Sequence, residues 1–280
     1  MWDFRAAVLL GILWLGVSFA QGAGGPFERE PEWELGRKYM AEGKNQAARD
    51  VLTELSGKYP KEPDVYLFLA IASLRSRDVR RAEIDIGKAL SLDPDHVEAK
   101  TLRGWIALEV KRDYPAAIAD YSRVAELKPD WPEAHNNLGV AWKKKGDAEK
   151  AAASFNRALA LKPDYGEAWS NLGWIHAVEK KWREARADFE QALRSNPNDE
   201  GALYGLSQAQ REVRDYAGAE KTLKSLLSHA PNFVYWLEWG QVKLVRYYWV
   251  LLLGAGLIYL NSRYQLTRRV FHGGADSKEA

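Results

Sequence analysis

Six prolines, Pro60, Pro94, Pro129, Pro163, Pro197 and Pro231, recur at intervals of 34 residues, with a single interval of 35 between Pro94 and Pro129. Each ends an apolar-periodic stretch, as in Ala-Leu-Ser-Leu-Asp-Pro94-Asp and Ala-Glu-Leu-Lys-Pro129-Asp. Proline lacks the amide donor that a helix interior requires, so these positions mark turns. A period of this length signals one supersecondary unit copied in tandem. A single copy cannot bury its apolar stripe, so neighbours must stack into a continuous core. Within each period, apolar residues at i, i+3, i+4 and i+7 form one face of each helix. Small residues such as Gly139, Gly173, Ala151 and Ala185 let helix backbones approach closely.

The pattern resembles the tetratricopeptide repeat family, whose unit is a helix–turn–helix with W-x2-L-G-x2-Y…A-x3-F…A…P spacing. The fullest copy is 132–165, with Leu138-Gly139, Trp142, Ala151, Phe155, Ala158 and Pro163. The copy at 166–199 follows, with Trp169, Leu172-Gly173, Ala185, Phe189, Ala192 and Pro197. Weaker copies are 29–62, 63–96 and 200–233. The copy at 97–131 has Arg103 where Leu is usual and one extra residue before Asp113. The resemblance implies an all-α, right-handed superhelical solenoid of six repeats (29–233). Trp142, Trp169 and Trp182 sit at positions the family uses for packing.

The two ends read differently from the body. In residues 1–20 the α-amino group and Arg5 precede the apolar run Ala6–Val17, which closes on Ser18-Phe19-Ala20. That is the layout of a secretory signal peptide, and an uncleaved signal anchor is its alternative. A Gly-rich linker (21–28) leads to the repeats. After them comes a capping helix expected at 234–246, then a transmembrane segment at 247–262 with Tyr247, Tyr248 and Trp249 at one margin and Tyr259 at the other. With Leu244 and Val245 added, this helix reaches about 25 Å against a hydrocarbon core of roughly 30 Å. Its other reading is a buried helix closing the soluble body. No acid lies between Glu238 and Asp276, and Arg263, Arg268 and Arg269 open a basic, then polar, tail (263–280).

Composition narrows function further. Lys plus Arg number 40 against 38 Asp plus Glu, a balance of +2 that gives no reason to expect nucleic acid. Cysteine is absent, which removes thiolate catalysis and Cys-based metal sites. No phosphate-binding loop, dinucleotide fingerprint, nucleophile elbow or H-E-x-x-H sequence occurs, and His96, His135, His176, His229 and His272 stand singly. The expectation is therefore a chain with no catalytic, cofactor-binding or metal site and no small-molecule substrate.

By family analogy, recurring positions of the first helix in each repeat face a concave groove. They hold Trp33 and Arg37 in the first repeat, Leu67, Ile71 and Arg75 in the second, and Trp105 (with Thr101) in the third. The fourth contributes Asn136, Lys143 and Lys144, the fifth Trp174 (with Ser170), and the sixth Tyr204 and Arg211 (with Gln208). Trp, Tyr and Arg are the residue types that most often anchor protein interfaces. Trp33 and Arg37 stand where the family's chaperone-binding members have Lys and Asn, so a two-carboxylate clamp is not expected. The sequence thus points to a non-enzymatic, exported, membrane-anchored scaffold binding proteins or peptides in envelope complexes. The alternatives are a tail-anchored, cytosol-facing organellar receptor and an accessory subunit of an enzyme or export complex.

Overall fold

A computed structural model describes residues 25–272, with side chains to residue 263. The expected signal segment (1–20), most of the linker and the last eight residues lie outside the described residues. Among the described residues there are thirteen α-helices and no strand. After a 3-10 turn at Pro26–Arg29 come α1 (Pro31–Ala41), α2 (Asn45–Lys58), α3 (Pro63–Arg75), α4 (Val79–Leu92) and α5 (Val97–Trp105). A π-helical turn, Ile106–Lys111, extends α5 and leads to α6 (Tyr114–Leu127). Then follow α7 (Pro132–Lys145), α8 (Ala148–Leu161), α9 (Gly166–Val178), α10 (Trp182–Ser195), α11 (Glu200–Glu212), α12 (Tyr216–His229) and α13 (Phe233–His272). The chain forms two compact units that divide between Ala168 and Trp169, inside α9.

Each proline-bounded window holds two helices, here called A and B. Pro60, Pro94, Pro129, Pro163, Pro197 and Pro231 each follow directly on the C-cap of a B helix. The cap residue before them leaves the helical region, with φ between −122° and −138°, because the proline ring disfavours αR in its predecessor. At the opposite end of each pair, the turn from A to B passes through a left-handed residue: Gly43, Arg77, Arg112, Gly146, Lys180 and Arg214. Asp78, Asp113, Asp147 and Asp215 then cap the B helix, each accepting a hydrogen bond from the amide three residues on at 2.9–3.1 Å. Lys44 and Lys181 occupy the same place in the first and fifth repeats and provide no such cap.

The 35-residue interval has a local structural cause. In five repeats the Asp or Lys at the start of B donates its amide to a carbonyl five residues back, as in Asp78 to Ser73 and Asp147 to Trp142. In the third repeat Asp113 reaches six residues back, to Ala107. The extra residue is absorbed as the π turn, so the A–B geometry is closed in the same way around one more residue.

The core is set by size matching between A and B. Leu52, Ile86, Tyr121, Phe155, Phe189 and Leu223 recur at one B position, and all are buried. A β-carbon on Gly139 would come within 2.6 Å of the Phe155 ring, and one on Gly173 within 2.9 Å of Phe189. Phe189 is enclosed from a second side by Gly205, where an added β-carbon would lie 2.3 Å away. Asn137 of α7 is buried as well.

α13 differs from the expectation in extent. The capping helix expected at 234–246 and the span expected at 247–262 are one uninterrupted helix of 40 residues. Its start packs on the sixth repeat through Tyr235, Trp239 and the buried Val242. From Leu244 to Leu260 its large apolar residues are exposed on every side, so the buried-helix reading does not hold for this stretch. By length and composition the helix is apolar enough to cross a membrane over Phe233–Arg263.

Candidate protein-interaction surface

The residues assigned to a groove divide by unit. In the first unit, Trp33 is 2% exposed, Leu67 2%, Ile71 0%, Trp105 8% and Asn136 0%, and Thr101 is equally enclosed. These six are core, which corrects their assignment to a groove. The physical reason is visible at Trp33, whose ring is met edge-on by Phe27 at 4.9 Å and by Phe68 at 4.5 Å. Phe27 comes from the 3-10 turn before the first repeat and covers the row from the N-terminal side. In α3 every residue from Leu67 to Leu74 is buried, and a helix apolar on all faces leaves no open side.

The remaining candidates of the first unit are polar and partly accessible. Arg37 lies 3.8 Å from Glu34. Arg75 donates from Nη1 to the Met40 carbonyl at 2.6 Å, and burial pulls its pKa down from the usual arginine value. Lys143 is half-buried on α7, and its pKa is pushed down to about 8 by burial first and Lys144 second, against Glu109. Lys144 itself is exposed. On the other side of α7, Trp142 is flanked by Lys145 and Lys150, 5.0 and 4.5 Å from its ring centre, and packs against the core.

In the second unit the same row stays half-open. Trp174 contacts Phe189 edge-on at 5.3 Å and Tyr204 at 6.3 Å, and Tyr204 meets Tyr235 at 5.3 Å. All three rings are partly exposed, as are Ser170, Gln208 and Arg211. Tyr204 donates to Glu238 at 2.9 Å, and Arg211 approaches the same carboxylate at 3.3 Å. Tyr235 donates to Glu200 at 2.8 Å. Burial raises both phenols, with the neighbouring Glu hydrogen bond adding to it, and Tyr235 reaches about 12. The result is an aromatic ladder with an Arg–Glu pair beside it. Such a surface can stack on apolar or aromatic side chains and donate hydrogen bonds to a backbone.

Two features escaped the sequence reading. Tyr235 and Glu238 fall in the expected capping helix, yet Glu238 stands 34 residues after Tyr204, the register of a seventh A helix. That spacing was the available signal. The second is a polar clasp between A and B: Ser73 with Asp85 at 3.3 Å, His176 with Asp188 at 2.6 Å, and Gln210 with Thr222 at 2.9 Å. Burial raises the Asp188 pKa, against the His176 bond that lowers it. In the third repeat Ala107 stands at the partner's place, and Arg103 from one turn earlier grips Asp120 with bonds of 2.6 and 2.8 Å. No signal at the level of residue type marks these pairs. Among the described residues no cluster of His, Asp or Glu is arranged to hold a metal ion.

Comparison with known proteins identifies the class. Tetratricopeptide repeat profiles match residues 39–106 and 176–237, and a second repeat profile of the same description matches 106–166 and 143–182. The chain belongs to the tetratricopeptide repeat family. No curated protein matches the sequence. Among solved structures, Pseudomonas aeruginosa pilF is similar at 16% identity and a TM-score of 0.66, over 85% of this chain and 99% of that one. PilW, a type IV pilus biogenesis factor, is similar at 18% identity and a TM-score of 0.65, over 73% and 94%. The Cut9–Hcn1 structure of the APC/C is similar at 20% identity and a TM-score of 0.62 over 77% of this chain, which spans only 44% of that one. At these identities the likeness is one of fold.

Proposed function

We propose that this protein is a non-enzymatic scaffold, anchored in a membrane by α13, that binds a protein or peptide segment on the open A-helix face of its second unit. The observation carrying the binding reading is the half-open ladder Trp174–Tyr204–Tyr235 with Gln208 and Arg211, in a family whose repeats mediate protein–protein interaction. Arg37, Arg75, Lys143 and Lys144 are proposed as secondary, polar contacts of the first unit. The anchor reading rests on an apolar stretch exposed all round, which water does not favour and hydrocarbon does. The signal-like pattern of residues 1–20 and the basic residues after the apolar stretch support an exported repeat domain, in the periplasm or on another extracytoplasmic face, that organises envelope complexes.

A photo-crosslinking amino acid placed at Gln208 tests the site in cells producing the full chain. Discrete adducts at position 208, weakened by Trp174→Ala and missing with the crosslinker at the exposed Ala187 of α10, are the expected result. Identical adducts at 208 and 187 would remove the ladder as a binding site.

A further inference from the structure

α11 and α13 run parallel in a 34-residue register, fixed at one end by Tyr235 on Glu200 and along the middle by Tyr204 and Arg211 on Glu238. The A–B turn after α11 therefore lies level with the point where α13 becomes apolar on all sides. Between them is a cleft of about 540 Å³, with Arg211, Arg214 and Tyr216 on one wall and Gln241, Leu244 and Val245 on the other. One wall carries two arginines and Glu212, and the other continues directly into the apolar stretch.

The charges around the cleft are paired off except at one arginine of its lining. Glu238 faces Arg211 at 3.3 Å, and Glu220 is shared by Arg246 at 2.7 Å and Lys243 at 3.8 Å. Asp215 caps α12 and meets Arg186 at 3.1 Å. Glu212 lines the cleft, and Arg214 makes no ion pair among the described residues. Arg186, Arg211, Lys243 and Arg246 are thus engaged by Asp215, Glu190, Glu238 and Glu220, which leaves Arg214 as the cation of the lining without an ion pair, with Glu212 on the same lining. Arg214 stands at φ 64°, where glycine is the easier residue, and Lys180 occupies the same place on the neighbouring turn at φ 60°.

We infer that this cleft is a headgroup site for acidic phospholipid: the phosphate pairs with Arg214 at the turn, Tyr216 donates to it, and the acyl chains follow the Leu244–Val245 wall along α13. The inference rests on the membrane reading of α13. Arginine suits the role because its planar guanidinium pairs bidentately with phosphate oxygens.

The test uses the full chain in a neutral detergent, with phosphatidylglycerol and phosphatidylcholine supplied in equal amounts and bound lipid counted by native mass spectrometry. Several-fold more phosphatidylglycerol is expected on the wild type, with at least a threefold loss in Arg214→Gly. That substitution removes the charge and relaxes the backbone, so the loss cannot be laid to unfolding, and melting no lower than that of the wild type, followed by circular dichroism, checks this. Equal retention of the two lipids, or full retention in Arg214→Gly, would overturn the site. Displacement of phosphatidylglycerol by millimolar inorganic phosphate would also overturn it, in favour of a free-anion site. Alkaline carbonate extraction separates the two levels. A chain released from membranes refutes the anchor and the site together, whereas a chain that stays integrated but shows no lipid preference refutes the site alone.

Discussion

Trp105 and Trp174 occupy the same repeat position, as do Trp33 and Tyr204, and within each pair the two end in different environments. In the first unit the A-helix row is closed: Trp33 sits between Phe27 and Phe68, and Leu67, Ile71, Thr101, Trp105 and Asn136 are buried after it. In the second unit Ser170, Trp174, Tyr204, Gln208 and Arg211 remain partly open. A repeat position does not carry its own burial. Burial depends on what adjacent A helices and flanking segments supply. In α3 that is the apolar run Leu67–Ala72, whereas α11 and α13 present polar tips that hydrogen-bond across the row and leave its outer side partly exposed. One array can thus devote one unit to stability and the other to recognition.

The largest effect expected from this contrast is on folding. Trp33→Ala leaves a cavity among buried rings and should destabilise by about 3–5 kcal/mol. Trp174→Ala, with one side already in water, should cost about half of that while reducing crosslinking at position 208. Thermal melting followed by circular dichroism gives the order of the two. A larger loss for Trp174→Ala would break the distinction between a closed and an open row.

Next in size are the close approaches that both units share. Gly139→Ala in the first unit and Gly205→Ala in the second would press a methyl group into the rings of Phe155 and Phe189. Overpacking of this kind costs about 1–3 kcal/mol. Similar losses in the two units, read from the same melts, would show that the framework is common and that the units differ only in their A-helix row. A silent Gly205→Ala would mean that Phe189 can move aside.

The framework was legible in the sequence because it rests on local chemistry. Proline after each B helix, small residues opposite large ones and the 34-residue period are all readable in one dimension. The extra residue before Asp113 was visible too, but not that a π turn would absorb it, because that depends on how tightly α6 holds the end of α5. The groove was only partly legible. Trp33 and Trp174 are the same residue type on the same kind of helix, and only Phe27, outside the repeats, and Phe68, in the next one, close the first. The clasps were hidden for another reason: Ser73, His176 and Gln210 share a position without sharing a residue type.

The caps offer a smaller test, one in each unit. Lys44 and Lys181 stand where Asp78, Asp113, Asp147 and Asp215 accept an amide hydrogen bond, and their positive charge also opposes the helix dipole. Lys44→Asp and Lys181→Asp should each stabilise by about 0.5–2 kcal/mol. Slower amide exchange confined to the first turn of α2 or α10 would locate the gain. Stabilisation without that local protection would point to a change in surface charge instead.

The smallest effect lies in the left-handed turns. Arg112 at φ 57° and Lys180 at φ 60° hold a conformation in which a β-carbon crowds the following carbonyl, while Gly146 at φ 93° does so without a β-carbon. Glycine relieves that crowding but gives the unfolded chain more freedom to lose, which offsets part of the gain. Arg112→Gly and Lys180→Gly should therefore stabilise by only about 0.5–1 kcal/mol, and Gly146→Ala should destabilise by about as much. The two gains need not be equal. Arg112 follows the π turn, whose Asp113–Ala107 closure spans one residue more than the corresponding bond at Lys181, so more of the backbone there can relax before substitution. A gain at Lys180 clearly larger than at Arg112 would show that the inserted residue already relieves the turn of the first unit. Equal gains would confine its influence to the end of α5.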